Sequence, residues 1–167
     1  MATIDELIRR LDAARAGLAS LQPAIEAGAP WPLSGDFGTS PESSWGPPEA
    51  LAHVAEMGPF WTGEIARVVA ARGQPAPFGR VATDALRIGV LERDRTLPVG
   101  ELLDRTDAAL ERFRRRLTAL SAGDVERRGI HPRLGEMSVA MIAERFVVEH
   151  LEEHVAQLRE LVARPRR

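Results

Sequence analysis

Residues 136–163 read EMSVAMIAERFVVEHLEEHVAQLRELVA and contain neither proline nor glycine. At about 100° per residue around Val147, one stripe of this segment is apolar. The stripe holds Ala140, Val147, Leu151, Leu158 and Leu161, whereas Glu149, Glu152 and Arg159 lie on the opposite side. This periodicity predicts a long amphipathic helix that opens near Glu136, runs to about Ala163 and buries one face.

Two other segments show the same periodicity. The first runs from about Thr3 to Gln22, and we expect Pro23, followed by the Gly-Ala-Pro stretch at 28–30, to end it. The third helix in chain order opens near Pro98 and ends at Gly123. No segment shows convincing strand alternation, so we expect no sheet.

The second helix in chain order begins with strong signals. Serines 43–44 are candidate caps, and prolines 47–48 lie where a first-turn proline is tolerated. The helix should run to about Arg72, where Gly73 suits a left-handed stop. Gly-Pro at 58–59 lies inside it and predicts a kink without a break.

Connection lengths indicate how the four helices are arranged. A helix of about 22 residues is about 33 Å long. The connection over residues 73–97 can span that length, which makes helices 2 and 3 candidates for parallel neighbours joined by a crossover. We expect it to contain at most short helical turns. The shorter gap over 123–135 suits antiparallel neighbours. The prediction is one all-α domain over residues 1–167, a four-helix bundle.

Composition excludes several classes of function. The net charge of −2 and the pI near 6.1 give no general attraction to nucleic acid or to an anionic membrane. The absence of cysteine excludes disulfides, thiolate metal sites and a cysteine nucleophile, so any thiol chemistry needs an external thiol. Neither a signal peptide nor an apolar span is present, which predicts a cytoplasmic protein.

Three histidines fall on apolar helix faces. His150 and His154 are four residues apart, and both lie within about 60° of Val147 on the buried stripe. His53 lies about 40° from Met57, on the inner face of the second helix. Two imidazoles at metal-ligand spacing and a third on another helix are typical of an open three-histidine metal site. The order His-Glu-x-x-His of zinc proteases is absent.

Less specific interpretations stand beside this one. An inward histidine is often a hydrogen-bonded core residue, and His131, in a loop before proline, is typical of a structural turn. Glu64 and Glu144 are candidates to orient an imidazole, but an ion pair with arginine is the simpler reading for both. Trp45 and Trp61 suit either core packing or the wall of a substrate pocket.

The chain resembles a known family in two stretches. Both stretches resemble motifs of the DinB-like metal-binding bundles. The first is Ser44-Trp45 with Pro48-Glu49-Ala50-Leu51-Ala52-His53. The second is His131-Pro132-Arg133-Leu134-Gly135-Glu136-Met137, followed by His150 and His154. The resemblance implies an up-down-down-up bundle with a divalent metal on His53, His150 and His154. It also implies a homodimer, and for some members thiol-dependent transfer or isomerisation.

Two classes of function remain open at this stage. One is an enzyme in which zinc or nickel, with iron and manganese as alternatives, activates water or a low-molecular-weight thiol toward an unidentified small molecule. The other is a non-catalytic metal- or ligand-binding protein, for example in a stress response. A polar, substrate-sized pocket lined by arginines beside the histidines would favour the enzyme. DNA binding has no support in charge or motif.

Overall fold

The computed structural model describes residues 2–35, 42–71 and 74–164. Its helices are α1 (Ile4–Ala27), α2 (Pro47–Ala70), α3 (Ala85–Asp94), α4 (Val99–Thr118), α5 (Ala122–Val125), α6 (Val139–Ala143) and α7 (Glu149–Ala163). A π-helical turn, Glu144–Val148, joins α6 to α7 into one long final helix, and a 3₁₀ turn, Glu42–Ser44, precedes α2. Three short strands are β1 (Ala76–Pro77), β2 (Arg128–His131) and β3 (Gly135–Ser138).

Helices α1, α2, α4 and the final helix form the bundle. Helices α1 and α4 run antiparallel, because Asp12 pairs with Arg114 whereas Arg15, farther along α1, pairs with the earlier residue Asp107. The apolar faces of the four helices meet in one core. It includes Leu7, Leu51, Ile65, Leu110, Phe113 and Leu151, all without exposed surface.

Two helix pairs run parallel. In the first pair, Thr106 of α4 donates to the carbonyl of Leu51 in α2, and farther along both helices Gly58 faces Ala109. In the second pair, Arg10 of α1 binds Glu144, and farther along Gly17 faces Val155 of α7. The bundle is therefore up-down-down-up, with a crossover between α2 and α4 as expected.

The crossover and the last connection contain more structure than expected. The crossover holds the ten-residue helix α3, which Asp84 caps by accepting from the backbone amide of Arg87, instead of short turns alone. Strand β2 pairs in parallel with β1 and antiparallel with β3, so the expectation of no sheet was wrong in this detail. Strands of two to four residues are too short for alternation to show in the sequence.

Several helix ends also differ from the predictions. Helix α1 continues through Pro23 to Ala27, because this exposed proline near the helix end removes a single backbone bond from a face that water can solvate. The final helix opens at Val139, not near Glu136, since residues 135–138 pair with β2 and Ser138 caps the helix. Helix α4 ends at Thr118 and not at Gly123. The predicted stop of the second helix at 72–73 lies outside the described residues.

Gly129 and Gly63 provide a matched test of this packing. A Cβ at Gly129 would meet Phe78 at 2.6 Å and Val68 at 2.8 Å, whereas a Cβ at Gly63, exposed on α2, would meet nothing within 4 Å. Gly129→Ala should therefore lower the free energy of unfolding by about 1–2 kcal/mol. Gly63→Ala should raise it by about 0.5–1 kcal/mol, because glycine weakens a helix. Urea denaturation measures both, and equal effects would contradict the described contact of β2 with α2.

The described residues also bear on membrane insertion. Across residues 2–35, 42–71 and 74–164, no helix combines the length and apolar character needed to cross a bilayer.

Candidate metal centre

His53 is the residue that α2 contributes to the candidate metal centre. It lies in α2, its side chain is almost fully buried, and its ring packs edge-on against Trp45 with centroids 5.5 Å apart. Burial lowers the pKa of His53 well below its ordinary value, and the nearby Glu42 carboxylate opposes this only in part. The imidazole is therefore neutral near pH 7, which is the form that binds metal.

His150 and His154 enter from α7, directly after the π-helical turn. Such turns occur frequently at functional sites. The Nε2 atom of His150 lies 2.9 Å from Nε2 of His53 and 3.2 Å from Nε2 of His154. The structure thus brings together the three histidines that the sequence singled out, with the same ring nitrogen of each pointing to one place.

Glu42 joins the three imidazoles from the 3₁₀ turn before α2. Its Oε2 atom lies 3.0 Å from Nε2 of His150 and 3.6 Å from Nε2 of His154. Its other oxygen, Oε1, accepts from the Arg87 guanidinium of α3 at 2.5 Å. Burial alone would raise the pKa of Glu42, but its close contacts with the imidazoles of His150, His154 and His53 hold it well below its ordinary value.

These four residues form a donor set that suits a metal ion. One donor atom from each of Glu42, His53, His150 and His154 lies within 4.8 Å of the other three. Metal–nitrogen bonds of about 2.1 Å at a tetrahedral angle place two nitrogens about 3.4 Å apart, close to the observed spacing. Three imidazoles and one carboxylate can serve as ligands for zinc, nickel, iron or manganese. The cluster could therefore hold one divalent metal.

A cavity of about 170 Å³ opens beside the cluster. Glu42, His53 and His150 line it, together with Arg80 and Arg87 of the crossover. Trp61 and Phe146 also line it, and their rings stack with centroids 4.2 Å apart and an interplanar angle of 9°. The cavity therefore places two arginines beside the histidines, which is one part of the feature expected of an enzyme. Of the two tryptophans proposed for a pocket wall, Trp61 lines this cavity.

The remaining sequence candidates have structural partners. His131 is the last residue of β2, and its Nδ1 accepts from the backbone amides of Arg133 and Leu134 in the turn that leads to β3. Glu64 pairs with Arg67 and accepts from the amide of Gly79. Glu144 pairs with Arg10 on α1. None of the three belongs to the metal-binding cluster found among the described residues; the turn and ion-pair interpretations describe their observed contacts.

Sequence reasoning missed Glu42. The residue lies in a Gly-, Pro- and Ser-rich loop, where no periodicity assigns a direction to a side chain. Its proximity to Ser43 and Ser44, the predicted caps of α2, is the one available signal, because it places the carboxylate near the helix that carries His53. The cap prediction itself was wrong, since the N-cap is Gly46 and makes no side-chain cap hydrogen bond. The sequence alone offers nothing that relates this loop to α7.

Comparisons with known proteins agree with this architecture. A family model described as the DinB superfamily matches residues 2–158. The fold is similar to that of YfiT from Bacillus subtilis, described as a probable metal-dependent hydrolase with an unusual four-helix bundle topology. The TM-score is 0.69 at 15% identity, with 96% of this chain and 88% of that chain covered. No curated protein matches the chain. The match to the family model extends from the start of α1 to within α7, and the chain belongs to the DinB superfamily.

Proposed function

We propose that this protein is an enzyme that binds one divalent metal through His53, His150 and His154, with Glu42 as an oxygen donor, and acts on a small anionic substrate. The observation that carries the proposal is the convergence of three Nε2 atoms and a carboxylate at the wall of an arginine-lined cavity. Zinc and nickel are the first candidates, and iron and manganese fit the same donors.

The side chains around the cavity have distinct tasks. The three imidazoles would hold the metal, and Arg87 holds the Glu42 carboxylate in place. A divalent cation bound there supplies Lewis acidity and generates a nucleophile near neutral pH. Among the described residues that line the cavity, none carries a hydroxyl or a thiol, and Glu42, His53 and His150 are assigned to the metal. We therefore infer that the nucleophile comes from outside the chain. Water and a low-molecular-weight thiol both meet this requirement.

The arginines indicate the charge of the substrate. Arg80 lies against the Phe60 ring and pairs with Glu56, and Arg87 pairs with Glu42. A divalent metal added to this cavity makes its net charge positive, which favours a carboxylate or another small anion. The stacked Trp61 and Phe146 rings offer an apolar wall for the remainder of such a molecule.

Hydrolysis is the first reaction to test, since YfiT, which has a similar fold, is described as a probable metal-dependent hydrolase. Transfer of an external thiol is the second, because the described cavity residues include no hydroxyl or thiol. A homodimer remains a prediction from the family resemblance, and a cytoplasmic location remains a prediction from the sequence.

The test begins with metal analysis of the purified protein. The metal-loaded and metal-stripped forms are then compared on a nitrophenyl hemisuccinate ester and on the neutral nitrophenyl acetate, with and without an added small thiol. We expect metal-dependent turnover that favours the anionic ester, and loss of that preference in Arg80→Gln. Stoichiometric metal without turnover in any combination would support the non-catalytic alternative. Absence of metal binding would overturn the proposal.

A further inference from the structure

Gln157 contacts two separate parts of the metal centre. It lies on α7, one turn after His154, and its Oε1 is 3.0 Å from Nδ1 of that histidine. Its amide nitrogen donates to the backbone carbonyl of Glu42 at 2.8 Å and to that of Trp45 at 3.0 Å. A single side chain therefore connects a candidate metal ligand on the final helix with the turn that carries Glu42.

These contacts leave one orientation for the Gln157 amide. A backbone carbonyl can only accept a hydrogen bond, so the NH₂ group must face Glu42 and Trp45. The amide oxygen then faces His154, and because this oxygen can only accept, Nδ1 of His154 must carry the hydrogen. The opposite nitrogen, Nε2, is left with a free lone pair, and it is the atom that points at His150 and Glu42.

The hydrogen bonds that Gln157 donates help to fix the position of the Glu42 carboxylate. The 3₁₀ turn Glu42–Ser44 is short, and its position relative to α7 depends on contacts outside itself. The two hydrogen bonds from Gln157 hold the backbone of this turn from one side, and Arg87 holds the Glu42 side chain from the other. Groups that orient metal ligands in this way raise metal affinity by about 10–100-fold.

We propose that Gln157 is a positioning residue for the metal site: it sets the Nδ1–H tautomer of His154 and holds the Glu42 turn against it. The inference rests on the proposed metal-binding function only for its effect on affinity. The tautomer and the position of the turn are properties of the metal-free protein. The two statements can therefore fail separately.

The test compares Gln157→Leu and Gln157→Glu with wild type. Gln157→Leu removes both interactions, whereas Gln157→Glu keeps an acceptor for His154 but cannot donate to the two carbonyls. The control is Gln22→Leu on α1, where the glutamine amide bonds only to the neighbouring Glu26 among the hydrogen bonds described. Cobalt(II) affinity should fall by about 10–100-fold in both Gln157 variants and the visible cobalt spectrum should change, with Gln22→Leu unaltered.

Nitrogen NMR of the metal-free protein supplies the independent readout. Wild type and Gln157→Glu should show His154 as the Nδ1–H tautomer, and Gln157→Leu should show a mixture. Wild type with Nε2–H at His154 would overturn the inference, as would unchanged cobalt affinity and spectrum in Gln157→Glu. If wild type shows the expected tautomer yet binds no cobalt, the proposed metal function fails and the orienting contact stands. If Gln157→Leu does not fold, Gln157→Glu carries the comparison.

Discussion

Replacement of His154 by alanine is expected to abolish stoichiometric binding of zinc or nickel. The imidazole is 3% exposed and supplies one of the three nitrogens that converge at the centre. Its removal leaves two imidazoles and Glu42, and it also leaves the Gln157 amide oxygen without the Nδ1 donor. Metal content per chain after dialysis, measured by mass spectrometry, should fall from about one equivalent to near zero.

His131→Ala is the matched control for this experiment. It also removes a buried imidazole, so the loss of packing is comparable. The Nδ1 atom of His131 accepts from two backbone amides of its own hairpin turn, and the residue lies outside the metal-binding cluster. The His131→Ala variant should therefore bind nearly one equivalent of metal. One equivalent of metal retained by a variant in which His53, His150 and His154 are all alanine would show that the ligands are wrong.

The long helices were predictable because each buries one face over many turns. Periodicity on α7 placed His150 and His154 on the buried side, and the same argument placed His53 on the inner face of α2. The parallel orientation of α2 and α4 could also be predicted, since the connection over residues 73–97 is long enough for a crossover. Short elements carry too few residues for such a signal, and β1, β2 and β3 were missed for that reason.

The parts of the site that depend on how the loops fold could not be predicted. Glu42 lies in a loop, and Arg80 and Arg87 lie in or beside the crossover helix α3. The sequence had predicted at most short helical turns in that crossover. Gln157 follows His154 at a helical spacing, but its partners are backbone carbonyls more than 110 residues away. Such contacts depend on how loops fold back onto the bundle, and helix periodicity contains no information about that step.

Arg87→Met is expected to cause the second large effect. Arg87 is 5% exposed, and its guanidinium donates to Oε1 of Glu42 and to the carbonyl of Ala82. Methionine has a similar length and no charge, so both acceptors lose their donor in a poorly solvated place. The Glu42 side chain is 29% exposed, which limits the cost, and we expect a loss of about 3 kcal/mol in the free energy of unfolding.

Metal affinity should fall by about tenfold in the same variant, because the freed carboxylate is no longer held toward His150. Arg9→Met is the control, since that arginine pairs with Glu6 on the exposed face of α1, and its stability should change by less than about 0.5 kcal/mol. A double variant with Glu42→Gln separates the causes. If the pair is coupled, the double variant loses less stability than the sum of the single changes, because no unpaired carboxylate remains. Strict additivity in urea denaturation would show that Arg87 stabilises α3 independently of the metal centre.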